Sequence, residues 1–127
     1  MSHGTFGTAI NCMDGRVQLP VIAWMKATYQ LDYVDMITEP GPDKVLAEGS
    51  AAQLAALCAK VEISVKKHGS RVIAVAGHSD CAGNPVGKEE HCQHIARALE
   101  GVRSWGYDVQ VVGLWIGEDW QVQVLTC

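Results

Sequence analysis

Residues 71–78 read RVIAVAGH, a near-continuous apolar run that ends in a histidine. A strand with one wet face alternates apolar and polar residues. One without a polar face must be covered on both sides, as in a parallel sheet flanked by helices. Parallel neighbours need crossover connections, so strands should alternate with helices along the chain. GTAINC (7–12) reads as a buried strand, LPVIAWMKATYQ (19–30) as a helix with Pro20 in its first turn, and YVDMIT (33–38) as a second strand closed by the breaker-rich EPGPD. Ser50 and Gln53 have capping-box spacing, and Leu54, Leu57, Cys58, Val61 and Val65 recur at helical intervals up to a stop at Gly69. After RVIAVAGH, a glycine-rich loop (GHSDCAGNPVG) leads into a helix carrying Ile95, Leu99 and Val102, with Gly106 as its stop. VQVVGLWIG and WQVQVL, flanking Glu118 and Asp119, read as a closing hairpin. The pattern predicts an α/β fold, one domain over residues 1–127. Its mostly parallel sheet of about five strands would have helices on both faces and an antiparallel C-terminal edge strand.

Sheets of this kind bind ligands outside the carboxyl ends of strands where the strand order reverses. Two motifs end strands here. In AINCMDGRV (9–17) Cys12 closes the first strand, with Asp14 and Arg16 at alternate positions after it; His78 closes the third, and Cys81 follows at the H-x-x-C interval. If those strands are neighbours, Cys12, His78 and Cys81 can converge. Two thiolates and an imidazole suit Zn2+, and three protein ligands leave the fourth tetrahedral position open, the pattern of a catalytic site.

CMDGR resembles the C-x-D-x-R signature of the beta-class carbonic anhydrases, and GHSDCAG resembles their G-H-x-x-C-G region. The intervening helix and strand and the closing VVGLWIGEDWQVQVL are also similar to that family, so the resemblance covers most of the chain as a compact, shortened member. It implies zinc on Cys12, His78 and Cys81, with Asp14 and Arg16 as a catalytic dyad, and reversible hydration of carbon dioxide to bicarbonate. Asp14, held ionised by Arg16, would accept the hydroxide's hydrogen and aim the oxygen's lone pair at the carbon. Two thiolates offset the ion's charge, so such a site acidifies water less than a three-histidine site and should favour alkaline pH. The family's habit of sharing pockets across a two-fold implies a homodimer or a dimer of dimers. TEPGPDK stands where typical members carry an Arg-Asn-Ala-Gly-Asn-like loop, so the pocket wall does not carry over residue by residue.

A formal charge of -4 with dispersed Lys and Arg argues against nucleic acid and anionic membranes as partners. The absence of a long apolar stretch or a secretory leader pattern favours a cytoplasmic location. Five widely spaced cysteines suit reduced thiols or metal ligands better than a disulfide framework. Cys58 falls in an apolar helix stripe and reads as core, while Cys92 and Cys127 have no evident partner. His91 and His94 lie one turn apart, but Glu89 and Glu90 mark a solvated face there rather than a metal site. Trp24, Trp105, Trp115 and Trp120 read as core or subunit interface. Two other functions fit the same residues. One is hydrolysis of carbon disulfide or carbonyl sulfide on the same fold and metal. The other is a non-catalytic zinc-binding or thiol-redox module in which Cys12 and Cys81 form a reversible disulfide.

Overall fold

A computed structural model of the chain describes residues 4–125. Its elements run β1 (Phe6–Cys12), α1 (Gln18–Tyr29), β2 (Tyr33–Glu39), α2 (Pro42–Glu48), α3 (Ala51–Glu62), β3 (Val72–His78), α4 (Lys88–Ser104), β4 (Gln110–Ile116) and β5 (Val122–Val124). They form one five-stranded sheet in the order β2-β1-β3-β4-β5, in which β5 alone pairs antiparallel. The expected fold class is what the chain adopts.

The order explains where a site can form. From β1 the chain winds outward to β2, then crosses back to place β3 on the other side of β1. The winding therefore reverses between β1 and β3, whose helices leave on opposite sides and open a crevice at the carboxyl ends. Pairing between these strands runs from Thr8–Ile73 to Ile10–Val75 and stops short of Cys12 and His78.

Alternation along the two central strands builds two cores. Ala9, Ala74 and Ala76 face Val21 and Met25 of α1 together with Leu114 and Ile116. Ile10, Ile73 and Val75 face Leu57 and Val61 of α3 and Ala98 and Val102 of α4. Every residue of β3 is buried, as its sequence requires. Each large aliphatic side chain buried here contributes about 1.5–3 kcal/mol, which rigidifies the strand ends that carry the polar groups.

Two local features differ from the expected pattern. EPGPD does not merely close β2, because Gly41, at φ 57, and Pro42 start the short helix α2. Proline at a first helical position has no N–H to lose and a φ already suited to the helix. After α3, which carries the reciprocal Ser50–Gln53 capping box, residues Ile63–Lys67 continue as a π-helical segment. That segment places Ser64 within hydrogen-bond reach of Thr8 on β1 and Asp35 on β2, and Gly69, at φ 68, ends the run. No helix among the described residues is long and apolar enough to cross a membrane.

Candidate metal centre

Cys12, His78 and Cys81 meet in the crevice between β1 and β3, all three buried, with their ligand atoms within 4.8 Å of one another. The two sulfurs are 3.9 Å apart. Two thiolates bound at about 2.3 Å with a tetrahedral angle would be separated by about 3.8 Å, so the sulfur spacing fits zinc. His78 donates from Nδ1 to the Ser79 carbonyl at 2.7 Å, which leaves Nε2 as the lone-pair nitrogen. That Nε2 is buried, faces the two sulfurs and makes no well-formed hydrogen bond among the described residues. A backbone carbonyl orienting the far nitrogen of a histidine is a common support for a metal ligand.

The electrostatics favour loss of a proton from this cluster. The Cys81 thiol donates to Cys12 and, with His78 and the N–H groups of Gly41 and Asp14 acting in the same sense against burial, brings Cys12 down to about 4. Cys81 is pushed up for the complementary reason, since it holds the shared proton and is buried. Burial lowers His78, but the Cys12 sulfur and the Ser79 carbonyl outweigh it and the net shift is upward. A divalent cation would replace these protons and compensate both sulfurs.

Asp14 and Arg16 lie just beyond β1 in a 3-10 turn, Gly15–Val17. The turn is braced from below, because Asn11 donates to the Val17 carbonyl and Gln18 to the Cys12 carbonyl. Asp14 caps the turn by accepting the Arg16 N–H at 2.9 Å. Its carboxylate also takes a forked guanidinium, Nε at 3.1 Å on Oδ1 and an Nη at 2.7 Å on Oδ2. That contact with Arg16 holds the Asp14 carboxyl at about 2.

Arg16 has two further partners. Its second Nη reaches Asp80 at 3.2 Å, and its guanidinium lies 4.6 Å from the centroid of the Trp120 ring. Asp80 and Trp120 adopt left-handed backbone conformations, at φ 57 and φ 59, which are uncommon for residues with a side chain. Trp120 is partly buried against the core, as expected, and also borders the site, its ring 6.4 Å from that of His78. Asp80 lies inside the H-x-x-C interval, a signal that could have drawn attention to it.

The largest correction concerns His91 and His94. Both are buried, despite Glu89 and Glu90 beside them. His91 Nδ1 is 2.6 Å from the fully buried Asp43 of α2, and the Asn84 amide nitrogen lies 2.9 Å from His94 Nδ1 and 3.3 Å from both Asp43 oxygens. The glutamates solvate one face of α4 while the histidines turn toward α2 and the loop after β3. Cys58 is only partly buried, its sulfur 3.8 Å from the Tyr107 hydroxyl. Cys92 is disulfide-bonded and so departs from the expectation of reduced thiols, while Cys127 lies outside the described residues.

Comparison with known proteins follows the same lines. The sequence matches the family described as "Putative carbonic anhydrase" over residues 2–126. No curated protein sequence matches it. Among solved structures, the beta-carbonic anhydrase CcaA superposes with a TM-score of 0.63 at 15% identity, covering 98% of this chain and 74% of that one. One of two tetrameric beta-carbonic anhydrases from Sordaria macrospora gives 0.55 at 13%, covering 100% and 83%. CafA of Aspergillus fumigatus, also a beta-carbonic anhydrase, gives 0.54 at 16%, covering 98% and 76%. At such identities the structural likeness speaks for the fold, and the family match spans nearly the whole sequence; the chain belongs to the carbonic anhydrase family and has the beta-class fold.

Proposed function

We propose that the protein is a zinc-dependent carbonic anhydrase that interconverts carbon dioxide and bicarbonate, with Cys12, His78 and Cys81 holding the metal. The observation that carries this reading is the coincidence of a metal-sized triad and the forked Asp14–Arg16 pair at one strand-order reversal. Zinc, when bound, supplies Lewis-acid activation of water for attack on carbon dioxide. The chain's own residues do the rest. Cys12 is poised as a thiolate, Cys81 would give up its proton as the metal binds, and His78 offers Nε2 because Ser79 occupies its other nitrogen. Asp14 stays ionised through neutral pH under Arg16 and serves as the acceptor that orients the attacking oxygen. Arg16, braced by Asp80 and Trp120, keeps Asp14 turned toward itself and away from the fourth ligand position.

A storage or redox site needs no such oriented carboxylate, which favours the enzyme over the thiol-redox alternative. Carbon disulfide or carbonyl sulfide hydrolysis would use the same residues, and competition between these substrates and carbon dioxide separates the two. The deciding experiment is metal analysis with stopped-flow carbon dioxide hydration on one preparation. One zinc per chain with fast hydration is expected; zinc without hydration would overturn the assignment. We also propose a homodimer or a dimer of dimers, a reading supported by the likeness to the tetrameric beta-carbonic anhydrases of Sordaria macrospora. Light scattering that finds a fully active monomer at micromolar concentration would refute it.

A further inference from the structure

The buried cluster around Asp43 lies directly behind the two loops that supply the metal triad with backbone donors. The Gly41 N–H, in the loop between β2 and α2, faces the Cys12 sulfur. The N–H groups of Gly83 and Asn84, in the loop between β3 and α4, face the Cys81 sulfur. The loops touch backbone to backbone, for a Cβ on Gly83 would lie 2.5 Å from the Pro40 carbonyl carbon and one on Gly41 would lie 2.7 Å from that of Gly83. Glycine is required on both sides of that contact.

Beneath the contact, Asp43 in the first turn of α2 and Asn84 in the loop after β3 close the connection. Asp43 follows Gly41 and Pro42; Asn84 follows Gly83. The Asn84 amide donates to the Asp43 carboxylate at 3.3 Å and to His94 Nδ1 at 2.9 Å, while His91 Nδ1–H donates to Asp43 at 2.6 Å. Asp43, Asn84 and His91 are at most 1% exposed. A carboxylate in such a place is costly to desolvate, and an apolar pair of similar size would fill the space without that cost. What a well-packed apolar pair lacks is direction. Hydrogen bonds set the distance and angle between the two loops, and thereby the donors on the two sulfurs.

We propose that Asp43 is a positioning residue of the metal centre, tying the two loops together through Asn84 so that the N–H groups of Gly41, Gly83 and Asn84 stay on the Cys12 and Cys81 sulfurs. The inference rests on the metal reading given above. It predicts that loosening the tie weakens metal binding even though neither residue touches the metal.

The test uses the full chain with Asp43→Asn, Asn84→Ser and the exchange Asp43→Asn/Asn84→Asp. Affinity is measured for zinc against a chelator. Cobalt(II) reports the thiolate geometry through its sulfur-to-metal charge-transfer band, and circular dichroism of each metal-free chain reports folding. Each single variant should fold, bind zinc roughly 10- to 100-fold more weakly and shift the cobalt band. The exchange restores a donor and an acceptor between the loops and should recover part of both losses. Parental affinity with a parental band in folded single variants would overturn the proposal, as would loss of the metal-free fold in all three, which would give the tie a general structural role. A parent chain that binds no zinc would instead refute the metal reading on which it rests.

Discussion

Asp14 and Asp43 are both carboxylates held by a base, and they flank the Cys12–His78–Cys81 triad, the proposed metal site, under opposite conditions. Asp14 pairs with Arg16 where their side chains are 21% and 47% exposed. Asp43 pairs with His91 where both are 0% exposed. Water screens the first pair, so despite its forked geometry it adds little to stability, and Arg16 also reaches Asp80. The second pair has no water to fall back on, so removing one partner strands the other at full desolvation cost. On the proposed reading the contrast separates chemistry from support: the group that would meet substrate stays near solvent, and the group that would hold the loops is sealed away.

The comparison fails altogether if the triad between the pairs is not a metal site, so the largest expected effect is there. Alanine in place of Cys12, His78 or Cys81 should take zinc from one per chain to essentially none, as read by elemental analysis of the purified variant. Full occupancy in Cys81→Ala would strike that residue from the ligand set.

Next comes the exposed pair. Asp14→Ala should keep its zinc and lose roughly 10²- to 10⁴-fold in hydration, the range of positioned proton-handling groups. It should cost only about 1 kcal/mol of stability, the value of a capping carboxylate. Arg16→Ala should free Asp14 to take the fourth ligand position, so hydration falls while zinc remains. Zinc absorption spectroscopy at alkaline pH checks this, and an unchanged coordination sphere with near-parental hydration would reduce Arg16 to a brace for the turn.

For the buried pair the balance reverses. Asp43→Ala should cost about 3–5 kcal/mol in denaturant unfolding, because it leaves His91 and Asn84 without their shared acceptor. A loss as small as that of Asp14→Ala would erase the distinction between the two regions.

The smallest effect is in acid. Asp14 titrates at about 2 against an ordinary 3.8, so its folded-state value is depressed. Its contribution to stability is complete above the ordinary value and disappears as pH falls toward about 2. Arg16→Ala should return Asp14 toward its ordinary range, visible in a carboxyl NMR titration of the metal-free chain, and should flatten stability across that window. An Asp14 titration unmoved by the substitution would mean that Arg16 is not what holds it down.

Local physics made much of this protein legible before any coordinates. The unbroken apolar run of β3 required cover on both faces, the Ser50–Gln53 box marked the start of α3, and the alternation of strands and helices implied the parallel sheet; each follows from contacts within a few residues along the chain. The H-x-x-C interval and the Cys12-Asp14-Arg16 spacing were equally local, and the structure brings these residues close together. What tertiary structure alone decided is the set of meetings between distant segments. Strand order made β1 and β3 neighbours and set Cys12 beside His78 and Cys81, a convergence the sequence could state only conditionally. Residues around 42–48 became a helix, and His91 and His94 turned inward although Glu89 and Glu90 pointed to a wet surface. The reason is the same in each case. A buried polar group is tolerated only when its partner is present, and Asp43 lies 48 residues before His91, too far along the chain for any local pattern to announce it.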